Sequence, residues 1–388
     1  MTSARLNVAI VADLLEERWP SMDLMADMLM THSGSNGTSF RPALIRPAFP
    51  SALASVLRQD PDEAPPTIQR IAHRFWSYPR WLRQHPAADV YHIVDHSYAH
   101  LAHVLPAGRV VVTCHDIDAF RALLPGGQPE STLPRILVKR VLTGLQRAAV
   151  IVCDSEATRS ELLLNGLAPA DRISVVPIAV HPACSAAPDL DADAAAAALT
   201  GRPGAADLLH VGSTIPRKRI DTLLEVLARV AEVRPDARLW RVGGPFTSSQ
   251  AAHACRLGVA DRITVLPFVT RPVLAALYRR AAMVLLPSER EGFGLPVIEA
   301  MACGTPIVCS DLAVLREVGG AAAEYCSPED PNEWSSRIAA LLIERESAPA
   351  RWHARQGASI AHASLFSWDR YASEMHGLYA SVAREAAC

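Results

Sequence analysis

The amino-acid sequence predicts an α/β protein made of two successive doubly wound domains, each a parallel sheet covered by helices. Three observations carry that prediction. Short apolar, β-branched runs alternate with longer amphipathic segments, the pattern of repeated βα units. The rhythm lapses once, over 183–206, into Ala, Asp, Pro and Gly, and then restarts. The 388 residues (41.9 kDa) also exceed what one compact core holds.

In the first domain, 1–182, strands are expected at 6–13, 41–46, 89–95, 109–115, 148–154 and 173–179, with helices near 20–31, 67–84, 130–146 and 156–165. The run from Leu6 to Asp13 is apolar but short, is followed by Glu16 and Glu17, and lacks a small-residue cleavage site. It reads as a buried strand rather than a secretory leader. Ser155 ahead of Glu156 supplies helix-opening chemistry, a hydroxyl able to accept from a first-turn N–H. Residues 183–206 read as an interdomain linker with room for one short helix in the alanine run. The second domain, 207–365, is expected to hold strands at 207–212, 238–243, 262–266, 282–286 and 306–309, and helices near 219–234, 271–280, 296–303 and 331–345. Open parallel sheets bind ligands beyond the carboxyl ends of their strands, so two facing sheets would hold two substrates across a central cleft.

Composition excludes several classes of function. Thirty-eight basic residues against forty acidic ones leave a net charge of -2, and nucleic-acid binding needs a basic face. No stretch reaches the ~18 to 20 apolar residues of a membrane span. The eight cysteines are scattered, with no Cys-x-x-Cys, and several lie inside apolar runs. They read as buried thiols of a soluble cytoplasmic protein rather than as disulfides or a zinc site. Only two of the basic residues are lysines, Lys139 and Lys218, so each is worth locating.

The chemistry concentrates in Glu291-Gly-Phe-Gly-Leu-Pro-Val-Ile-Glu299 and the residues around it. A strand ending at Leu286 runs into a loop with Gly292 and Gly294. Pro296 suits the first helical position, and Gly304 with Pro306 ends the helix. Small glycines let backbone amides approach a ligand, and a helix N-terminus adds unsatisfied N–H groups and partial positive charge, which together suit phosphate. Carboxylates beside a sugar accept from its hydroxyls. The competing reading, a solvent-facing loop, would suit isolated glutamates but not this whole string. A second element, His210-Val-Gly212-Ser213-Thr-Ile-Pro-Arg217-Lys218-Arg219, places a glycine turn and then cations before a helix. Arg can grip two oxygens of an anion at once, while Lys acts as a mobile point charge. Taken alone, the same turn would read as a solvated helix start.

The glutamates separated by seven residues, in this strand–glycine loop–helix setting, resemble the retaining family 4 glycosyltransferases of the two-domain GT-B architecture. The resemblance spans nearly the whole chain and is strongest over 207–345. It implies two Rossmann-like domains facing a central cleft, with a nucleotide-diphosphate sugar held by the second and a saccharide or lipid-linked acceptor held mainly by the first. It implies that Glu291 contacts donor sugar hydroxyls and that Glu299 holds the ribose. The amides of Phe293, Gly294 and Leu295, beside Gly292, would lie near the sugar and diphosphate. Family members often carry arginine directly after the glycine of the basic turn. Here Ser213 follows Gly212, and Arg217 and Lys218 become the expected diphosphate grips. Phe268 and Val269, after Val265-Leu-Pro, fall where the family meets the nucleotide base. The resemblance also implies retention without a metal or other cofactor, with the departing phosphate oxygen taking the acceptor proton. Residues 366–388 resemble the family's last helix, which crosses back to the first domain.

On the acceptor side, two strand ends carry histidines: His92 to His96 with Asp95, and His115 with Asp116. The second resembles the family's His-Asp turn, so His115 is the expected reaction-centre residue, with His96 and Asp116 oriented toward acceptor hydroxyls. A purely structural histidine is the plainer reading of His115. His92, His96, His100 and His103 have partial metal-ligand spacing, but no carboxylate or cysteine completes the set, so no metal is expected. Residues 69–83 mix arginines with Phe75, Trp76, Tyr78 and Trp81. They read as a helix with Phe75 and Trp76 buried and arginines outward, interrupted at Pro79; peripheral contact with the inner face of a membrane is the alternative. Residues 19–23 stand where relatives often have a glycine-rich acceptor loop. Two other classes compete with transfer. A sugar-nucleotide epimerase of the same fold would convert donor alone, and a non-catalytic sugar-nucleotide-binding protein would bind without turnover.

Overall fold

A computed structural model describes residues 5–17, 20–33, 40–49, 67–84, 87–126, 132–202 and 204–387. Trp19, expected in the acceptor region, lies outside them. The chain forms two compact units, Met1–Ile178 with Trp368–Cys388, and Ala179–Ser367.

The first unit is built on six parallel strands: β1 (Leu6–Val11), β2 (Phe40–Ile45), β3 (Val90–Ile93), β4 (Val110–Cys114), β5 (Val150–Cys153) and β6 (Ile173–Val175). Their order is β2-β1-β3-β4-β5-β6, with Val8 of β1 opposite Val90 of β3. The chain therefore reverses its direction of winding between β1 and β3, and a crevice at such a switch point is the usual ligand site of an open parallel sheet. β3 and β4 are apolar almost throughout because helices cover both faces; every residue of either strand is buried. The helix Glu156–Leu164 opens on Ser155, whose hydroxyl accepts from the Thr158 N–H at 3.1 Å.

Residues 67–82 are helical throughout, with a π-turn at His73–Ser77, and Pro79 sits in the first turn of the segment Tyr78–Leu82. Phe75 packs against the core as expected, but Trp76 is 63% exposed. Nor do all the arginines face outward. The Arg74 guanidinium lies 4.3 Å from the centre of the Tyr98 ring and donates to the Ser97 carbonyl, so the helix turns a different face to the core than its composition suggests. The C-terminal helix Trp368–Glu385 completes this unit. Trp368, Tyr371, Met375 and Tyr379 are buried, and the Tyr379 hydroxyl lies 2.7 Å from His92 Nδ1.

The second unit holds β7 (Asp207–Val211), β8 (Arg238–Val242), β9 (Ile263–Leu266), β10 (Met283–Leu286), β11 (Ile307–Ser310) and β12 (Glu324–Cys326), all parallel, in the order β12-β11-β10-β7-β8-β9. Its first strand, β7, lies between β8 and β10, again creating a switch point at the strand carboxyl ends. The stretch expected as a linker is part of this unit. Its alanine run forms the helix Leu190–Thr200, capped by the Asp189 carboxylate, with Ala192 and Ala196 buried. Arg279 fixes it through Asp193 (2.6 Å) and the Ser185 carbonyl (3.0 Å). One strand and three α-helices of this unit were not anticipated: β12 and the helices Ser248–Arg256, Ala313–Gly319 and Pro349–Ala363. Among the described residues no helix is long and apolar enough to cross a membrane.

Candidate functional site

In the second unit the loops after β7 and β10 meet at Glu291. The short helical turn Pro216–Lys218 and the following loop bring Arg217 and Lys218 to the same carboxylate: Lys218 Nζ donates to Oε1 at 2.6 Å and Arg217 Nη1 to Oε2 at 3.2 Å. The Ser288 hydroxyl adds a third bond at 2.7 Å. The two loops are also tied through main-chain groups, since the Glu289 N–H donates to the Arg217 carbonyl at 2.8 Å and the Arg217 side chain donates through Nη1 to the Arg290 carbonyl at 3.0 Å. Burial pulls the Glu291 carboxyl upward. The charges of Lys218 and Arg217, with the bonds from Lys218 and Ser288, outweigh it and hold the group below the usual glutamate range. Glu291 is therefore a buried, ionised carboxylate clamped between two cations.

The next loop turns sharply. Gly294 has φ +97°, and a Cβ there would meet Leu315 Cδ2 at 2.6 Å, so both conformation and space require glycine. It caps the helix Leu295–Ala302, with Pro296 in the first turn as the sequence predicts. The amides of Phe293, Gly294 and Leu295 thus gather at a helix N-terminus, an anion-binding arrangement. The Phe293 ring itself is buried edge-on against Phe366, at 5.8 Å between centroids. Glu299 lies in the second turn of this helix, and only 5% of it is exposed. Its Oε2 accepts from the Tyr278 hydroxyl at 2.9 Å, and Arg271 lies 4.0 Å from Oε1. Burial pushes its carboxyl up, only partly offset by Tyr278 and Arg271. The two family glutamates thus occupy different electrostatic settings.

Gly212 lies beyond β7, with the His210 ring and Lys218 side chain beside it: a Cβ on Gly212 would meet His210 Cε1 at 3.2 Å and Lys218 Cδ at 3.7 Å. Ser213 next to it is exposed. After β9, Phe268 is 76% exposed and Val269 half-buried, a free aromatic face where a base could stack. Gly243 shows how closely these loops approach. It has φ +130°, and a Cβ there would sit 1.9 Å from the Gly212 carbonyl oxygen. Gly243→Ala should therefore cost several kcal/mol, on the order of 3. A melting temperature equal to that of the unaltered chain would remove this account of the loop contact.

In the first unit the polar residues gather at the carboxyl ends of β1, β3, β4 and β5. His115 donates through Nδ1 to Asp154 Oδ2 at 2.5 Å and through Nε2 to the Val94 carbonyl at 2.8 Å. Burial disfavours its charge, but Asp154, reinforced by Asp95, overcomes that and raises it to about 10. With both ring nitrogens engaged by the protein, His115 reaches a substrate only by giving up one of these bonds, and the plainer structural reading describes what it does here. Its backbone N–H lies 3.4 Å from His96 Nδ1, and His96 Nε2 lies 3.7 Å from Asp116 Oδ1. Asp13, after β1, is buried near Asp95, after β3. Burial and that neighbour push the Asp13 carboxyl well above the usual range. Burial also acts on Asp95, but His96, His115 and the bonds from Ser97 hold it low. The Asp13 carboxyl is thus shifted toward its neutral form and that of Asp95 toward its ionised form at the β1–β3 switch point.

The four histidines of partial metal spacing do not converge. His92 is bracketed by the Thr113 and Tyr379 hydroxyls, His100 bonds the Arg74 carbonyl, and His103 bonds the Arg140 carbonyl. Asp154, Tyr278 and Ser288 are partners that the sequence reading passed over. Asp154 was the most legible, since it follows an apolar strand just as His115 does.

Parallel sheets wound in this way, with a phosphate-suited loop and a clamped carboxylate at the strand ends of the second, define a GT-B fold of the glycosyltransferase type. The comparisons agree. Residues 205–344 match the family described as Glycosyl transferases group 1, and residues 36–183 match Glycosyltransferase Family 4. The chain belongs to the family 4 glycosyltransferases of GT-B fold. It is 38% identical over 204 residues to a D-inositol 3-phosphate glycosyltransferase of Segniliparus rotundus, covering 50% of this chain and 44% of that one. It is 32% identical over 292 residues to the protein of the same name from Mycobacterium avium, covering 71% and 65%. The chain thus matches less than two thirds of the length of these relatives. Among solved structures, a sucrose-phosphate synthase from Thermosynechococcus elongatus superposes with a TM-score of 0.71 at 19% identity, over 99% of this chain and 100% of the other. Anabaena HepE in complex with UDP and glucose does so with a TM-score of 0.71 at 15% identity, over 97% and 100%.

Proposed function

We propose that the chain is a retaining, metal-independent glycosyltransferase that moves a sugar from a nucleoside diphosphate to an acceptor hydroxyl. The observation that carries this reading is the Glu291 carboxylate bound by Lys218, Arg217 and Ser288 where β7 and β10 end, beside the amides at the helix that Gly294 opens. In this reading the amides, Lys218 and Arg217 receive the diphosphate, Glu291 positions sugar hydroxyls, Glu299 holds the ribose and Phe268 lies against the base. As the bond from the anomeric carbon to the diphosphate breaks, the acceptor oxygen bonds that carbon on the same face. The acceptor proton passes to the departing phosphate oxygen, so no protein base is needed. The cations stabilise the charge gathering on the diphosphate more than the ground state.

Acceptor recognition is assigned to the strand ends of the first unit, with His96 and Asp116 facing hydroxyls. His115 positions them through its backbone bond to His96. UDP is the nucleotide named in the HepE structure and D-inositol 3-phosphate is named for the curated relatives, so UDP-sugars and that polyol phosphate are the first to try. Incubation of UDP-, GDP- and ADP-sugars with D-inositol 3-phosphate and with saccharides, followed by mass spectrometry, should show one glycosyl unit added. The new linkage should keep the donor's anomeric configuration. An inverted linkage would overturn retention. A changed donor with no acceptor present would mark an epimerase, a reading that the names of the relatives do not favour.

Lys218→Ala should weaken nucleoside-diphosphate binding by about tenfold, the loss of one charge-assisted hydrogen bond. Unaltered affinity in a calorimetric titration would mean that Lys218 serves Glu291 alone.

A further inference from the structure

The second unit buries a cation that neither the glutamate motif nor the basic turn includes. Arg241, on β8, is fully buried, although an arginine is almost never so unless it is paired with an acid. Among the described residues no carboxylate accepts from it. Nη2 donates to the Gly212 carbonyl at 3.0 Å and Nη1 to the Gly244 carbonyl, while the Phe246 ring lies 5.1 Å from the guanidinium carbon. Burial lowers it only to about 10, so it is charged at neutral pH. Lys218 and Arg217, by contrast, have Glu291 opposite them.

The bond to Gly212 has a geometric consequence. In a trans peptide the carbonyl and the following N–H point in opposite directions. Holding the Gly212 oxygen toward Arg241 therefore turns the Ser213 N–H the other way. The Gly212 N–H is itself fixed to the Val242 carbonyl at 2.9 Å, so the turn is pinned on both sides. Ser213 is exposed, and among the described residues its N–H donates to no protein group. His210, between Arg241 and Lys218, does not double the charge. Burial, with those two cations, lowers it to about 3 and keeps the ring neutral.

We infer that Arg241 is a positioning residue for an anionic ligand: it aims the Ser213 amide outward and places an uncompensated positive charge behind it, matched to a nucleoside diphosphate. The inference rests on the reading of this unit as the nucleotide-sugar site and adds to it a residue beneath the loop. The charge and the aimed amide act on the phosphates and leave the base and ribose alone.

The test is calorimetric titration of the full chain with UDP, GDP and ADP and with uridine, guanosine and adenosine, using the unaltered protein, Arg241→Met and Arg241→Lys. The unaltered chain should bind at least one diphosphate. Arg241→Met should weaken that diphosphate by about tenfold or more and the matching nucleoside by less than about threefold. Equal losses on both ligands, or none on the diphosphate, would overturn the inference while leaving the donor site standing. Failure of the unaltered chain to bind any of the three diphosphates would overturn the donor-site reading and this inference with it. If Arg241→Met does not fold, Arg241→Lys decides. A buried lysine loses its proton more readily than arginine, so diphosphate affinity in that variant should fall between about pH 7 and about pH 9 relative to the unaltered chain. The facing groups do not mimic this: His210 is already neutral, and Lys218, ion-paired with Glu291, is common to both proteins. Parallel pH profiles would overturn the inference.

Discussion

Glu291→Gln should lower transfer by about a hundredfold to a thousandfold in a chain that still folds and still binds nucleoside diphosphate. The amide keeps nearly the same shape and can still accept from Ser288, so the loop after β10 has reason to stay in place. What disappears is the negative charge that Lys218 and Arg217 now face. Freed of it, both cations attract an added diphosphate at least as strongly as before. Affinity for the leaving group should hold or tighten while turnover collapses. A parallel fall in both would assign Glu291 to structure alone, and unchanged turnover would remove it from the reaction. Because its folded pKa lies below the ordinary value, the clamp is intact above the ordinary glutamate pKa and is lost only as pH falls through the depressed one.

Asp154→Asn should destabilise the first unit by about 3 to 5 kcal/mol, the usual cost of leaving one member of a buried ion pair alone. Its partner His115 titrates near 10 in the fold, above the ordinary imidazole value of about 6.5. The raised value makes the sign definite: stability from this pair is fully present below about pH 6.5 and is lost as pH rises through about 10. Thermal melts of the unaltered protein should therefore fall across that alkaline range, and those of Asp154→Asn should start lower and change much less. Equal slopes would mean that His115 is not held as an imidazolium.

Much of this arrangement was legible because period and punctuation agree. All eleven strands expected from apolar runs are present, and the Gly294–Pro296 loop forms the helix start that its residues suggest. The twelfth strand was missed because Glu324–Cys326 is only three residues long and mixes polar with apolar side chains at the sheet edge. The alanine run of 190–200 looked like a tether because small side chains leave little amphipathic pattern. Its place in the fold is set instead by Arg279 and Arg280, some eighty residues away. In the site, the glutamates and the basic turn could each be read because each is a short contiguous motif, although Lys218 and Glu291 are separated by 73 positions. The opposite shifts of the Asp13 and Asp95 carboxyls could not, since they depend on two strand ends brought together across the switch point. Arg241 left one trace: a charged residue inside the otherwise apolar run Leu239-Trp-Arg-Val242.

The first unit is discontinuous: it opens the chain and is completed only by Trp368–Glu385, whereas the second unit is one unbroken stretch. During synthesis the ribosome thus releases every residue of the second unit before the first can bury Tyr371, Met375 and Tyr379. The sheet made first is the one finished last, and it must wait with an apolar face uncovered while nearly two hundred intervening residues emerge. A stop codon just after Ser367 would spare the later-made unit and cripple the earlier one.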